Sequence, residues 1–261
     1  MPNKSLGQHW LTDSSCLAAM CDAVRVGLSD TVLEIGPGLG TLTSLLVERA
    51  QQVVAVEFDE ALARDLPGRV RAGNLSVVHS DILRFDLTAL PVGYKVVANI
   101  PYYLTSNLIR ILSESPNPPS AAALLVQKEV AERVAAAPGD MSVLSVTAQY
   151  YWNVSLGRIV KAELFTPPPK IDSQILVLHR RQEPLFPVLD ARQYFRIVKA
   201  GFSQRRKTLQ NSLSGGLYLS RTETEAILRI AGIVPTERAQ ALTLAQWHTL
   251  AEAVRHMSAE A

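Results

Sequence analysis

The chain reads as an α/β protein in two parts: a mostly parallel sheet of about seven strands, covered on both faces by helices, then a small carboxyl-terminal helical domain. Three observations predict this. Short apolar runs alternate with helical segments from Thr31 to about Val130, the pattern of buried parallel strands joined by crossover helices. The first apolar run passes straight into a glycine-rich turn, Gly36-Pro37-Gly38-Leu39-Gly40. After Arg180 the strand-like runs stop and only helical patterning remains. These set the expected boundaries at 1–181 for the sheet domain and 182–261 for the helical one.

Val32-Leu33-Glu34-Ile35 is the first predicted strand, and Leu42 to Val47 opens the helix after the glycine turn. Val53 to Val56, Leu75 to Val78, Val96 to Ala98 and Ala121 to Val126 supply four more strands. Gln149 to Val154 and Gln174 to Leu178 flank a proline-rich loop and read as an antiparallel pair closing the sheet. Beyond it, segments 190–201, 203–213, 222–231 and 243–256 read as helices. Ser203, Gly215-Gly216, Gly232 and Pro235 serve as caps or breaks. No internal repeat or low-complexity segment is present.

Composition narrows the function classes. With 261 residues, 48% hydrophobic and a mean hydropathy of +0.11, the chain has material for a substantial core. Its apolar runs are far shorter than the roughly 20 residues of a membrane span. The start, Met1 to Gln8, lacks the apolar stretch of a signal peptide; the expectation is a cytoplasmic protein that does not engage membranes. Cys16 and Cys21, the two cysteines, are too few ligands for a metal cluster, so no metal is expected. The net charge of +2 hides an asymmetry: residues 1–180 carry 15 Lys+Arg against 17 Asp+Glu, residues 181–261 carry 11 against 7. Arg205-Arg206-Lys207 concentrates the basic excess and is the candidate contact for a polyanion.

Asn99-Ile100-Pro101-Tyr102 closes the run Lys95 to Ala98. An amide at a strand's carboxyl end can accept a hydrogen bond from an exocyclic amine. Proline fixes the backbone so that a carbonyl can accept a second, and an aromatic ring can stack on a flat base. The combination suits the amino group of a nucleobase, most simply adenine N6. The plain alternative is a strand followed by a proline turn.

The glycine turn belongs either to a dinucleotide or to S-adenosylmethionine. A dinucleotide fingerprint is G-x-G-x-x-G, whereas here the third glycine, Gly40, comes one residue early and Thr41 stands where that motif wants glycine. Glu34 precedes the loop, and a carboxylate suits a cationic ligand better than a pyrophosphate. Glu-x-Gly-x-Gly-x-Gly therefore points to class I methyltransferases. Glu57 ends the second strand, about twenty residues beyond the glycines, where an acid accepts hydrogen bonds from ribose hydroxyls. Asp81 ends the third, placed for the cofactor's adenine amine, although Asp is also a favoured helix cap. Glu34, Gly36, Gly38, Glu57, Asp81 and Asn99 all fall at carboxyl ends of successive strands, where open α/β sheets bind ligands.

With these motifs in view, the sequence resembles the ribosomal RNA adenine N6-dimethyltransferases, in particular the bacterial branch acting on 16S rRNA. Its carriers are Leu6 to Leu11, Glu34 to Gly40, Asn99 to Tyr102, Gln127 to Val130, Phe165 to Ser173 and Phe202 to Leu209, in the family's order along nearly the whole chain. The resemblance implies a class I, Rossmann-like fold and S-adenosylmethionine as cofactor. The expected reaction is N6,N6-dimethylation of two adjacent adenosines near the 3′ end of 16S rRNA, during small-subunit maturation. It also implies that Gln8, His9 and Leu11 form an amino-terminal flap on the cofactor. His9 and Trp10 depart from the family's usual Asn and Phe; His9 keeps a group that can donate or accept a hydrogen bond.

In the expected mechanism Asn99 and the Ile100 or Pro101 carbonyl receive the two N6 hydrogens, Tyr102 stacks on the target adenine, and Phe165 covers its other face or anchors its loop in the core. Arg205, Arg206 and Lys207 contact RNA phosphates. Relatives that modify 23S rRNA share the catalytic half, but Gln204 to Leu209 follows the 16S branch. A DNA adenine methyltransferase, usually with Asp at position 99, and a non-catalytic assembly factor are the rival classes. A monomer is expected.

Overall fold

The computed structural model describes residues 9–186 and 190–260. These divide into two compact units, 9–132 with 152–180, and 133–151 with 181–260. The units do not follow a single cut at 181: residues 133–151 group with the carboxyl-terminal helices.

In the first unit β1 (Trp10–Leu11) leads into α1 (Ser14–Ala23), started by Asp13, whose carboxylate accepts the Cys16 N–H at 2.8 Å. β2 (Thr31–Ile35), α2 (Thr41–Arg49), β3 (Gln52–Glu57), α3 (Glu60–Arg69) and β4 (Leu75–His79) follow. Then come β5 (Lys95–Asn99), α4 (Thr105–Glu114), β6 (Ala121–Gln127) and α5 (Lys128–Val134). After α6 (Val143–Tyr151), which belongs to the second unit, the first unit resumes with β7 (Trp152–Val160), the short β8 (Phe165–Thr166) and β9 (Ser173–Arg180). Seven strands form one sheet in the order β4-β3-β2-β5-β6-β9-β7. The first five pair in parallel, and β9 runs antiparallel between β6 and β7. β1 and β8 make a separate antiparallel pair in which Leu11 faces Phe165.

The register explains the sequence pattern. Val32, Leu33, Val96, Val97, Ala98 and the whole run Ala122 to Val126 are buried, as central parallel strands with helices on both faces must be. The chain lays β2, β3 and β4 outward in one direction, then returns to place β5 on the other side of β2. The crevice between β2 and β5 at their carboxyl ends is the topological switch point, where such sheets bind ligands.

The second unit contains α6, α7 (Ala191–Gly201), α8 (Leu209–Leu217), α9 (Arg221–Ile230) and α10 (Leu244–Glu260). Tyr150 stacks on Tyr194 at 4.9 Å and meets Phe195 edge-on at 5.2 Å; Trp247 stacks on Phe202 at 5.4 Å. Ser220 and Glu223 form a reciprocal capping box for α9.

Three sequence expectations change here. The closing strand starts at Trp152, not Gln149, because Tyr150 and Tyr151 end α6 with their rings in the aromatic cluster. The segment predicted as a helix over 203–213 is a 3₁₀ turn at Phe202–Gln204, then a turn, then α8 begun by Thr208, whose hydroxyl caps the Asn211 N–H. Gly215-Gly216 does not break α8: a Cβ at Gly216 would come within 2.7 Å of Ala200 Cβ, so this glycine lets α8 lie close against α7.

Candidate active site

A cavity of about 240 Å³ opens at the carboxyl ends of β2, β3, β4 and β5. Each of those strands delivers one of the predicted polar residues to its wall: Glu34, Glu57, Asp81 and Asn99. The turn after β2 supplies Gly36 and Gly38, with φ of +66° and +56°, a conformation that side chains with a Cβ resist. A Cβ at Gly36 would meet nothing within 4 Å, so this backbone is open to a ligand; one at Gly38 would lie 3.3 Å from Trp10 Nε1.

Glu57 is buried, and its two carboxylate oxygens accept the Gly38 N–H at 3.0 Å and the Asp59 N–H at 2.9 Å. It thus ties the glycine turn to the end of β3 while keeping lone pairs for further donors. Asp81 is half-buried and accepts the Leu83 N–H at 2.9 Å, so it both turns the chain and faces the cavity.

Glu34 is 1% exposed and its Oε2 has no hydrogen-bond partner; the neighbouring Thr43 hydroxyl is also buried and unpartnered. Burial pushes the Glu34 carboxyl up to about 8; the charge of Glu57 adds to the rise, and the nearby Thr43 hydroxyl, short of hydrogen-bond geometry, offsets only part of it. A buried acceptor without a donor is costly, and a cation or ammonium in the cavity would relieve it.

Asn99 Nδ2 donates to the His9 carbonyl at 3.1 Å, which leaves Oδ1 as an acceptor without a partner among the described residues. The His9 ring donates from Nδ1 to the Pro167 carbonyl at 2.7 Å; a carbonyl only accepts, so Nδ1 carries the proton. The same ring stacks on Tyr102, centroids 5.9 Å apart and planes 19° from parallel. The Tyr102 hydroxyl pairs with Ser173 Oγ at 2.8 Å, and burial pushes its pKa above the ordinary tyrosine value, making it a weaker acid. His9, Pro167 and Ser173, all distant in sequence from Asn99 to Tyr102, are thereby fastened around it. The Pro101 carbonyl accepts the Leu104 N–H at 3.0 Å in the 3₁₀ turn that leads into α4.

The structure also brings Trp10, Phe58, Ile82 and Tyr103 to the cavity wall, which sequence reasoning missed. Phe58 and Tyr103 are both largely exposed although each follows a recognised site residue, and that adjacency was the available signal. Leu11 lines the cavity as expected. Gln8 lies outside the described residues. Phe165 is a correction. It is buried in the core cluster with Leu11, Leu17 and Ile175 and does not line the cavity, because its strand partner Leu11 draws it to the inner face of the β1–β8 pair. The loop-anchoring alternative is the one realised.

A family model described as ribosomal RNA adenine dimethylase matches residues 2–256. The chain belongs to the ribosomal RNA adenine dimethylase family. It is 39% identical over 251 residues to the ribosomal RNA small subunit methyltransferase A of Dehalococcoides mccartyi, covering 95% of this chain and 86% of that protein. It is 41% identical to the protein of the same name from Streptococcus pneumoniae, covering 97% and 91%. Among solved structures, a dimethyladenosine transferase from Plasmodium falciparum superposes with a TM-score of 0.81 at 25% identity, covering 96% of this chain and 98% of that one. The 23S rRNA methyltransferase ErmE superposes with 0.74 at 30%, covering 94% and 99%. The fold is that of class I S-adenosylmethionine-dependent methyltransferases, and the enzyme is an rRNA adenine dimethyltransferase using that cofactor. The residues present fit it: an unpartnered buried carboxylate for a cation, an open glycine turn, and an acid at the end of β3.

Arg205, Arg206 and Lys207 lie in the second unit, exposed, in the turn before α8, with no ion pair among the described residues. No described helix is long and apolar enough to cross a membrane.

Proposed function

We propose that this enzyme dimethylates N6 of two adjacent adenosines near the 3′ end of 16S rRNA, in the small ribosomal subunit or its precursor, acting as a cytoplasmic monomer. The observation that carries the chemistry is the held amide of Asn99, fixed through Nδ2 on the His9 carbonyl with Oδ1 unpartnered at the cavity wall. The small-subunit assignment draws support from the names of the bacterial relatives at about 40% identity.

Adenine N6 is a poor nucleophile because its lone pair is delocalised into the ring. Asn99 Oδ1 accepts one N6 hydrogen. The Ile100 carbonyl, which accepts no hydrogen bond among the described residues, takes the other, while the Pro101 carbonyl already accepts the Leu104 N–H. Two acceptors on the amine favour a tetrahedral nitrogen with its lone pair directed out of the ring, a gain from positioning and fixed dipoles rather than from a strong base. S-adenosylmethionine, when bound, supplies the methyl group from its sulfonium. Glu34, Gly36, Gly38, Glu57, Asp81, Asn99, His9, Leu11 and Gln8 are the residues assigned to hold it. Tyr102 stacks on the target base, which must leave its own stack to reach the site. Arg205, Arg206 and Lys207 contact phosphates, which position RNA without reading its sequence.

The test uses small subunits from cells lacking this modification, purified enzyme and labelled S-adenosylmethionine, with methyl groups mapped by mass spectrometry of RNA digests. Dimethyladenosine at two adjacent 16S sites is expected. Labelling confined to 23S rRNA would overturn the substrate assignment, and particle binding without transfer would reduce the protein to an assembly factor.

A further inference from the structure

The second unit carries a groove of about 540 Å³ between α7 and α10. Arg192 and Arg196, one turn apart on α7, and Arg255 on α10 line it. All three are exposed, and none makes an ion pair among the described residues. Lys199 continues the same face of α7, following Arg192 and Arg196 at helical spacing, and is also exposed. α7, Ala191–Gly201, contains no acidic residue. The nearest carboxylates in sequence are committed elsewhere: Asp190 caps α7 through the Arg192 N–H at 3.0 Å, and Glu252 faces His248 Nε2 at 3.5 Å. Ile197, Ala251 and Val254 form an apolar floor and are buried.

The three guanidinium groups share one groove, and none of them is ion-paired to a carboxylate among the described residues. An anionic ligand would neutralise them. Arginine presents a planar fork of donors that matches a phosphate's oxygens. A floor of aliphatic carbon between the cations accommodates the sugar faces of a nucleic acid backbone. The basic turn Arg205-Arg206-Lys207 lies on a different segment, so the fork geometry here is a separate feature.

We propose that the α7–α10 groove is a second RNA-backbone site, holding phosphates through Arg192, Arg196 and Arg255 independently of Arg205 to Lys207. The proposal rests on the rRNA substrate reading. It assigns this groove to affinity and register on the ribosomal particle, with no part in methyl transfer itself.

The experiment compares the wild type with the triple variant R192Q/R196Q/R255Q and with its charge-preserving counterpart R192K/R196K/R255K. The probes are unmodified small subunits and, separately, polyglutamate. For the glutamine variant the dissociation constant for subunits is expected to rise about tenfold or more near physiological salt. The slope of log affinity against log salt should fall by about two, close to the 0.7–0.9 expected per lost phosphate contact. The lysine variant should recover the salt slope and part of the affinity, since it keeps the charge but not the fork, and turnover on saturating subunits should match the wild type. Wild-type affinity and salt slope in the glutamine variant would overturn the proposal, as would failure of lysine to restore the salt slope. Loss of polyglutamate binding alone would assign the groove to an acidic protein and overturn it too. Failure of the wild type itself to bind or methylate subunits would instead sink the substrate reading beneath it.

Discussion

Replacing Glu34 with Gln removes an ionisable group that the fold holds out of water, and the effect on stability follows from one number. The carboxyl titrates near its reference 4.5 in the unfolded chain and at about 8 in the folded one. Below pH 4.5 it is protonated in both states and adds no pH dependence. Between 4.5 and 8 the unfolded chain releases the proton while the folded chain keeps it, so stability falls as pH rises, by about 1.4 kcal/mol per pH unit. The loss reaches about 3 kcal/mol at pH 7 and levels near 5 kcal/mol above pH 8, an upper bound for a fully buried acid. Glutamine has nearly the same volume and does not titrate. Any constant offset from its amide drops out if the difference between variant and wild type is followed with pH. Urea unfolding across this window should show Glu34→Gln gaining on the wild type with every unit of pH. A difference that stays flat would refute the assignment of a neutral, buried Glu34. A cationic ligand favours the ionised form, so calorimetric affinity for S-adenosylmethionine should tighten as pH rises towards 8 in the wild type and lose that trend in the variant.

Other outcomes follow from the same geometry. Asn99→Ala should leave the melting temperature nearly unchanged and abolish methyl transfer; normal turnover would sink the amide-acceptor mechanism. Gly40→Ala should cost roughly 2–5 kcal/mol by thermal unfolding, since the residue has φ +85° and a Cβ there would press on Leu66 and Val70 at 2.8 and 2.9 Å. Gly36→Ala, with open space around it, should cost only the backbone strain, about 1–2 kcal/mol, while weakening cofactor binding in a calorimeter. Phe165→Ala should destabilise by about 3–5 kcal/mol, whereas Phe165→Leu should keep both fold and turnover. A folded Phe165→Leu protein without turnover would return Phe165 to the target base. Trp152→Phe should cost about 1–2 kcal/mol in urea unfolding, through loss of the buried Nε1–H donated to Ser113 Oγ at 2.8 Å.

The sheet was legible because its central strands are buried on both faces and therefore spelled as unbroken apolar runs, Ala121 to Val126 being the clearest. The acids were legible because each stands at the end of such a run. What escaped depends on contacts between distant segments. Tyr150-Tyr151-Trp152 has strand-like composition, yet the first two rings are claimed by an aromatic cluster and only Trp152 joins the sheet. Gly216 looks like a helix breaker until Ala200 is found against it. Phe165 looks like a pocket aromatic until Leu11 is found opposite it. Trp10 reaches the cavity because the β1–β8 pair carries it beside the Gly38 turn, which no local pattern announces.

The bond from Asn99 Nδ2 to the His9 carbonyl has a further consequence. A carboxamide turned by half a revolution exchanges oxygen for nitrogen with almost no change of shape, so the segment Asn99 to Tyr102 does not by itself decide whether the site offers an acceptor or a donor. That choice is made by a main-chain oxygen, which every substitution at position 9 leaves in place. Aspartate at 99 would set two acceptors against each other there, so the polarity of this pocket and its preference for an amide over an acid have one origin. Only moving the strand that begins at Trp10 would undo either.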